Sequence, residues 1–233
     1  MKVTKWLSCA CAASALVACT AGPAETPDVS VTTSAAAVTP SPSAASLGLP
    51  RVVFLGDSLT AGYGLETEEA YPALLQVRMQ AEGYDYEVVN AGVSGDTSAG
   101  GLRRLDWALA GDVRVIVVAL GGNDGLRGLP VEALKKNMQD IITGSHARGI
   151  DVLIAGMEAP PNFGPVYTAA FRQVYLDLAE EHQVVLVPFL LEGVAGIPDL
   201  NIRDGIHPNT QGERIVEATV WQALAPMLSR TPR

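Results

Sequence analysis

Apolar residues recur along the chain in two alternating rhythms. Short runs rich in β-branched residues at 52–55, 86–89, 115–120, 152–157 and 184–187 have strand length, and the segments 70–81, 98–108, 131–148, 166–181 and 211–228 carry helical spacing. The order is βαβα throughout. Unbroken apolarity across 115–120 means that both faces of that strand are buried, as in a parallel sheet covered by helices on each side. The expected fold class is therefore α/β, one domain over 51–230 with no internal repeat. In such sheets ligands gather at the carboxyl ends of the strands, near the point where the strand order reverses.

The first 50 residues follow neither rhythm. Residues 1–18 carry Lys2 and Lys5 ahead of an apolar stretch too short for a comfortable membrane span, and they read as a secretory signal. The stretch ends Leu16-Val17-Ala18-Cys19, which resembles a bacterial lipobox, with Cys19 as the lipidated new N-terminus; the other reading is an ordinary cleavage site. From Thr20 to Pro50, 22 of 31 residues are Ala, Ser, Thr or Pro, too few apolar groups to offset chain ordering. Residues 19–50 are thus expected to be a lipidated Cys19 with a disordered tether. The expected location is the cell envelope, on an outer membrane facing the periplasm in a Gram-negative host.

Charge and cysteine usage narrow the chemistry. The 233 residues hold 25 acidic against 16 basic side chains, a formal net charge of -9, and no basic run offers a nucleic-acid footprint. Nucleic acid is not an expected partner. All three cysteines, Cys9, Cys11 and Cys19, precede residue 20, so beyond that point neither a disulfide nor a cysteine nucleophile nor a thiolate metal site is available.

The residues after the strand-like runs are small and polar. After the first comes Gly56-Asp57-Ser58-Leu59-Thr60-Ala61-Gly62, with Ser58 either a nucleophile at a strand end or the cap of a helix. The segment is neither a G-x-S-x-G elbow nor a P-loop. A serine nucleophile needs a base, and only His146, His182 and His207 exist. The first two fall near predicted helix ends, where histidine faces solvent or complements the helix dipole. His207 lies in Asp204-Gly205-Ile206-His207-Pro208-Asn209, where Asp204 either orients the imidazole or simply makes an Asx-type turn. Asn90-Ala91-Gly92-Val93-Ser94-Gly95-Asp96-Thr97 and Gly121-Gly122-Asn123-Asp124-Gly125 follow the second and third runs. There the Gly95 amide and the Asn123 side chain are either oxyanion donors or ordinary turn residues.

Taken together, the blocks Gly56-Asp57-Ser58-Leu59, Ser94-Gly95-Asp96-Thr97, Gly121-Gly122-Asn123-Asp124 and Asp204-Gly205-Ile206-His207-Pro208 resemble the GDSL or SGNH hydrolase family, in matching order. Asn123-Asp124-Gly125-Leu126-Arg127-Gly128 and Pro160-Pro161-Asn162-Phe163-Gly164 look like its bacterial thioesterase I, lysophospholipase L1 and arylesterase branch. The resemblance implies a flavodoxin-like three-layer α/β/α fold with a five-stranded parallel sheet in the order 2-1-3-4-5. It implies Ser58 as nucleophile, His207 as base, Asp204 as its orienting carboxylate, and an oxyanion hole of the Ser58 amide, Gly95 and Asn123. It also implies action on esters, thioesters or lysophospholipids with no metal and no cofactor.

An exported enzyme seldom meets acyl-CoA, so oxygen esters or lysolipids are the expected substrates, the membrane is met through the lipid anchor, and a monomer is expected. The competing functions are a carbohydrate or cell-wall deacetylase of the same superfamily and a non-catalytic binding lipoprotein.

Overall fold

The computed structural model describes residues 48–229. The expected signal segment 1–18, Cys19 and the tether up to residue 47 lie outside the described residues, so the expectations that rest on them are taken up as proposals below.

Five strands form one sheet: β1 (Arg51–Gly56), β2 (Glu87–Gly92), β3 (Val113–Ala119), β4 (Asp151–Ala155) and β5 (Val185–Val187). All pair in parallel in the order β2-β1-β3-β4-β5, as expected. Val115 to Val118 of β3 are at most 1% exposed, which is why that run shows no alternation. The helices are α1 (Ser58–Ala61), α2 (Tyr71–Glu82), α3 (Ser98–Arg103), α4 (Leu105–Ala108), α5 (Gly122–Leu126), α6 (Val131–His146), α7 (Pro165–His182) and α8 (Thr210–Leu224). α2 packs on α8, and α3, α6 and α7 pack in succession. With this strand order, the right-handed crossovers that parallel connections obey as a rule put the first pair and the latter three on opposite faces of the sheet.

Several element boundaries differ from the sequence reading, each for a physical reason. The second strand runs on through Asn90, Ala91 and Gly92 because these residues pair with Phe54, Leu55 and Gly56. Gly92 is needed there, since a Cβ would sit 2.4 Å from the Ala61 amide nitrogen of α1. The helix expected over 98–108 is two helices, broken at Arg104 (φ -107, ψ 10). The segment read as a turn at 121–125 closes into α5, entered through Gly121 at φ 112, where a Cβ would lie 2.0 Å from the Tyr175 hydroxyl. The last helix stops at Leu224, and Pro226 falls in a 3-10 turn at Ala225–Met227.

The strand order reverses beside β1, which has β2 on one side and β3 on the other. The loops leaving β1, β2 and β3 therefore meet at one end of the sheet. That end also receives the loop before α8.

Candidate active site

Ser58 is the first residue of α1, separated from the end of β1 only by Asp57. Asp57 caps this helix by accepting the Leu59 amide on Oδ1 at 3.1 Å. A residue at the first helical position keeps its own N–H outside the intrahelical ladder, which leaves the Ser58 amide available to an anion at the serine. The helix ends at Gly62 in the left-handed region, and Tyr63 comes next.

The Ser58 hydroxyl and His207 Nε2 are 2.8 Å apart, across 149 residues of chain. On the other side of the ring, Nδ1 meets Asp204 Oδ2 at 2.6 Å. Asp204 Oδ1 accepts the amides of Ile206 (2.9 Å) and His207 (3.0 Å), so the Asx-type turn and the orienting contact exist together. The turn is what aims the ring. Desolvation alone would raise the Asp204 carboxyl, but the two amides and the imidazole outweigh it and hold its pKa down to about 2. It is ionised at neutral pH and favours the Nδ1–H tautomer, leaving Nε2 to accept the serine proton. The loop is fixed from behind by the Ile202 amide donating to the His207 carbonyl at 2.8 Å, and Asn209 caps α8 through the Gln211 and Gly212 amides.

The Tyr63 ring lies 4.6 Å from the imidazole, centroid to centroid, at 40°. Nothing local in the sequence marks that contact, because it forms between loops far apart in the chain.

Asn123 sits in the first turn of α5, with Nδ2 donating to Asp57 Oδ2 at 3.3 Å. One of its two amide hydrogens is thereby committed, and the other remains for a ligand. Burial raises the Asp57 pKa to about 6, against the lowering effects of the Leu59 amide, Asn123 and His207. Asp57 belongs to a block singled out in the sequence, yet this role was not read from it. Asp124, 2% exposed, accepts Ser98 N at 2.8 Å and Ser98 Oγ at 2.6 Å, and Asn137 donates to that hydroxyl at 2.9 Å. This network locks α5 to the start of α3 and so to the loop that carries Gly95. Gly95 itself has φ 85, and its carbonyl accepts Arg127 Nη2 at 2.8 Å.

The structure thus gathers Ser58, His207, Asp204 and Asn123 at one cleft end; Gly95 does not line the cleft, and its loop is tied to the end of β1 by the Val93 amide donating to the Gly56 carbonyl at 3.1 Å. His146 and His182 are the last residues of α6 and α7, away from this end. His182 Nε2 is enclosed without a hydrogen-bond partner rather than facing solvent. Among the described residues no group of three or more His, Cys, Asp or Glu side chains is arranged to hold a metal ion.

A cleft of about 600 Å³ opens at Ser58 and His207 and is walled by Leu59, Leu126, Met157, Phe189, Leu191 and Ile206, among others. Such an arrangement can accept an acyl group with its chain in the apolar groove, its carbonyl carbon at the serine and its oxygen at the amide donors.

The model of the GDSL-like lipase/acylhydrolase family matches residues 54–215. The chain is 46% identical over 178 residues to the esterase TesA of Pseudomonas aeruginosa, covering 76% of this chain and 89% of that protein. It is 37% identical over 179 residues to thioesterase 1/protease 1/lysophospholipase L1 of Escherichia coli K12, covering 76% and 85%. The crystal structure of TesA aligns with a TM-score of 0.74 at 45% identity, covering 76% of this chain and 99% of that one.

Proposed function

The chain belongs to the GDSL-like lipase/acylhydrolase family, and on that premise we propose that it is a serine esterase cleaving carboxylic esters through an acyl-enzyme intermediate. The observation that carries this reading is the 2.8 Å approach of Ser58 Oγ to His207 Nε2 at the end of an apolar cleft.

His207 takes the Ser58 proton as the oxygen attacks the ester carbonyl, and the carbonyl oxygen gathers negative charge. The Ser58 and Gly95 amides and Asn123 Nδ2 stabilise that charge. His207 then protonates the departing alcohol. Water, activated by the same imidazole, hydrolyses the acyl-serine. Asp204 holds the ring in the required tautomer throughout.

The apolar walls favour an acyl chain longer than acetyl, because each buried methylene contributes about 0.8 kcal/mol. This supports oxygen esters with an acyl chain longer than acetyl, or lysolipids, over the carbohydrate deacetylase reading. The Cys19 segment adds a lipid anchor at the cell envelope to the same proposal, with residues 1–18 removed as signal.

The test is hydrolysis of p-nitrophenyl esters from acetate to octanoate by the wild type and Ser58→Ala. The variant should lose about three orders of magnitude or more in rate, and a fluorophosphonate probe should label Ser58 in the wild type. Near-normal turnover by the variant, or labelling of another serine, would sink the nucleophile assignment. A sharp fall beyond acetate would favour the deacetylase.

A further inference from the structure

Arg104 stands at the break between α3 and α4, and its side chain reaches three acceptors outside both helices. Nε donates to Asp96 Oδ2 at 2.7 Å, Nη1 to the Ala91 carbonyl at 2.5 Å, and Nη2 to the Gly56 carbonyl at 2.7 Å. The side chains of Arg104 and Asp96 are 17% and 18% exposed, so this is a largely desolvated pair. Gly56 is the last residue of β1, two before Ser58, and Asp96 directly follows Gly95. A single planar cation therefore binds the strand end that delivers the nucleophile, the end of β2, and the loop that presents the Gly95 amide.

The surroundings are cut to fit this clamp. Asp96 lies against α3, where a Cβ on Gly100 would come within 2.4 Å of its Oδ1. The Gly56 carbonyl also accepts the Val93 amide at 3.1 Å, and the Asp96 amide donates to the Val93 carbonyl at 3.0 Å, closing the 93–96 turn on β1. Arg127 holds the Gly95 carbonyl from the other side.

We propose that Arg104 is a positioning residue for the oxyanion loop: its guanidinium fixes the Gly95 amide relative to Ser58 through Asp96 and the Gly56 carbonyl. The proposal rests on the esterase reading above, with Gly95 as a donor. Only a guanidinium offers three coplanar donor directions to three separate acceptors, so lysine is not an equivalent replacement. A loop displaced by a fraction of an ångström loses transition-state stabilisation while still admitting substrate.

The experiment compares wild type, Arg104→Ala and Arg104→Lys on p-nitrophenyl butyrate, with active sites titrated by a fluorophosphonate. Arg104→Ala should lower kcat per titrated site by about 10- to 100-fold with KM changed by less than about threefold, and Arg104→Lys should fall between. Millimolar methylguanidinium should restore part of kcat in Arg104→Ala and none in Asn123→Ala. Amide hydrogen exchange in the peptide spanning residues 92–97 should accelerate in Arg104→Ala. A kcat per titrated site within about twofold of wild type would show Arg104 to be merely structural and overturn the proposal. Unchanged exchange in that peptide would overturn it even if the wild type proved inactive on esters, an outcome that would separately remove the esterase reading. Should Arg104→Ala not fold, Arg104→Lys and Asp96→Asn carry the same comparisons.

Discussion

Asp57 Oδ2 lies 3.3 Å from Asn123 Nδ2, so the residue that caps the Ser58 helix also orients a proposed oxyanion donor from the loop after β3, the neighbouring strand. This couples two blocks separated by 66 residues. Removing the donor should matter mainly in the transition state: Asn123→Ala is expected to lower kcat by about a hundredfold or more with little change in KM. If only KM rises in steady-state assays, Asn123 holds substrate instead.

The same relationship separates two roles at Asp57. Asparagine can keep its one oxygen for the Leu59 amide but sets an NH2 against Asn123 Nδ2, whereas alanine removes both acceptors. Asp57→Asn and Asp57→Ala should therefore both lower kcat, and Asp57→Ala should in addition be less stable by about 1 kcal/mol through loss of the cap. A kcat for Asp57→Asn equal to that of wild type would remove the orienting role.

Asp204→Asn should lower kcat by about two to four orders of magnitude, because an amide no longer enforces the Nδ1–H tautomer. Asp204 is near the surface, so the thermal midpoint should barely move. The informative measurement is kcat alongside Tm: a large Tm loss with kcat preserved would mean that the contact serves the loop and not the base.

Glu213 is 1% exposed at the start of α8, with Oε2 accepting the Tyr71 amide at 2.7 Å, and burial raises its pKa from 4.5 to about 8 despite that bond. Its folded-state pKa exceeds the unfolded value, so the native state holds a proton that the unfolded chain releases between about pH 4.5 and 8. Stability from this group is complete below that window and is lost as pH rises through it. Urea midpoints measured from pH 5 to 9 should fall less steeply in Glu213→Gln than in wild type; parallel curves would contradict the assignment.

Gln183, after α7, is held at φ 53, where an L side chain is strained. Gln183→Gly relieves that strain and costs some unfolded-state entropy, for a net gain of about 0.5 to 1 kcal/mol. The checking measurement is Tm, which should rise by a few degrees; a decrease would mean that the glutamine side chain makes a compensating contact.

Where chemistry and local propensity coincide, the sequence reading succeeded. β3 was visible because a buried strand must be apolar on both faces, and Asp204 and His207 were visible because their spacing of three residues lets one turn join them. Asn90, Ala91 and Gly92 have no strand character of their own, and they are extended only because β1 lies alongside. The break at Arg104 has no glycine or proline at the residue itself; the three acceptors that draw its side chain away come from β1, β2 and the Asp96 loop. Tyr63 against His207 is a contact of the same kind, made only once the sheet has brought the two loops together. What the sequence concealed was thus the set of tertiary partners and not the side chains that meet at the cleft.

β1 separates the point where the leading chain joins the sheet, at residue 51, from Ser58 by six extended residues, roughly 20 Å at about 3.3 Å per residue. Entry and reaction consequently occupy opposite poles of the sheet. The two poles are built from different residues, the entry pole from Leu49, Pro50, Asp85 and Asp112 and the reacting pole from Ser58, Asn123 and His207. The domain is thus double-ended: a graft, tag or truncation at the entry pole reaches the reacting one only through the length of the sheet, and should leave turnover of a dissolved ester as it was.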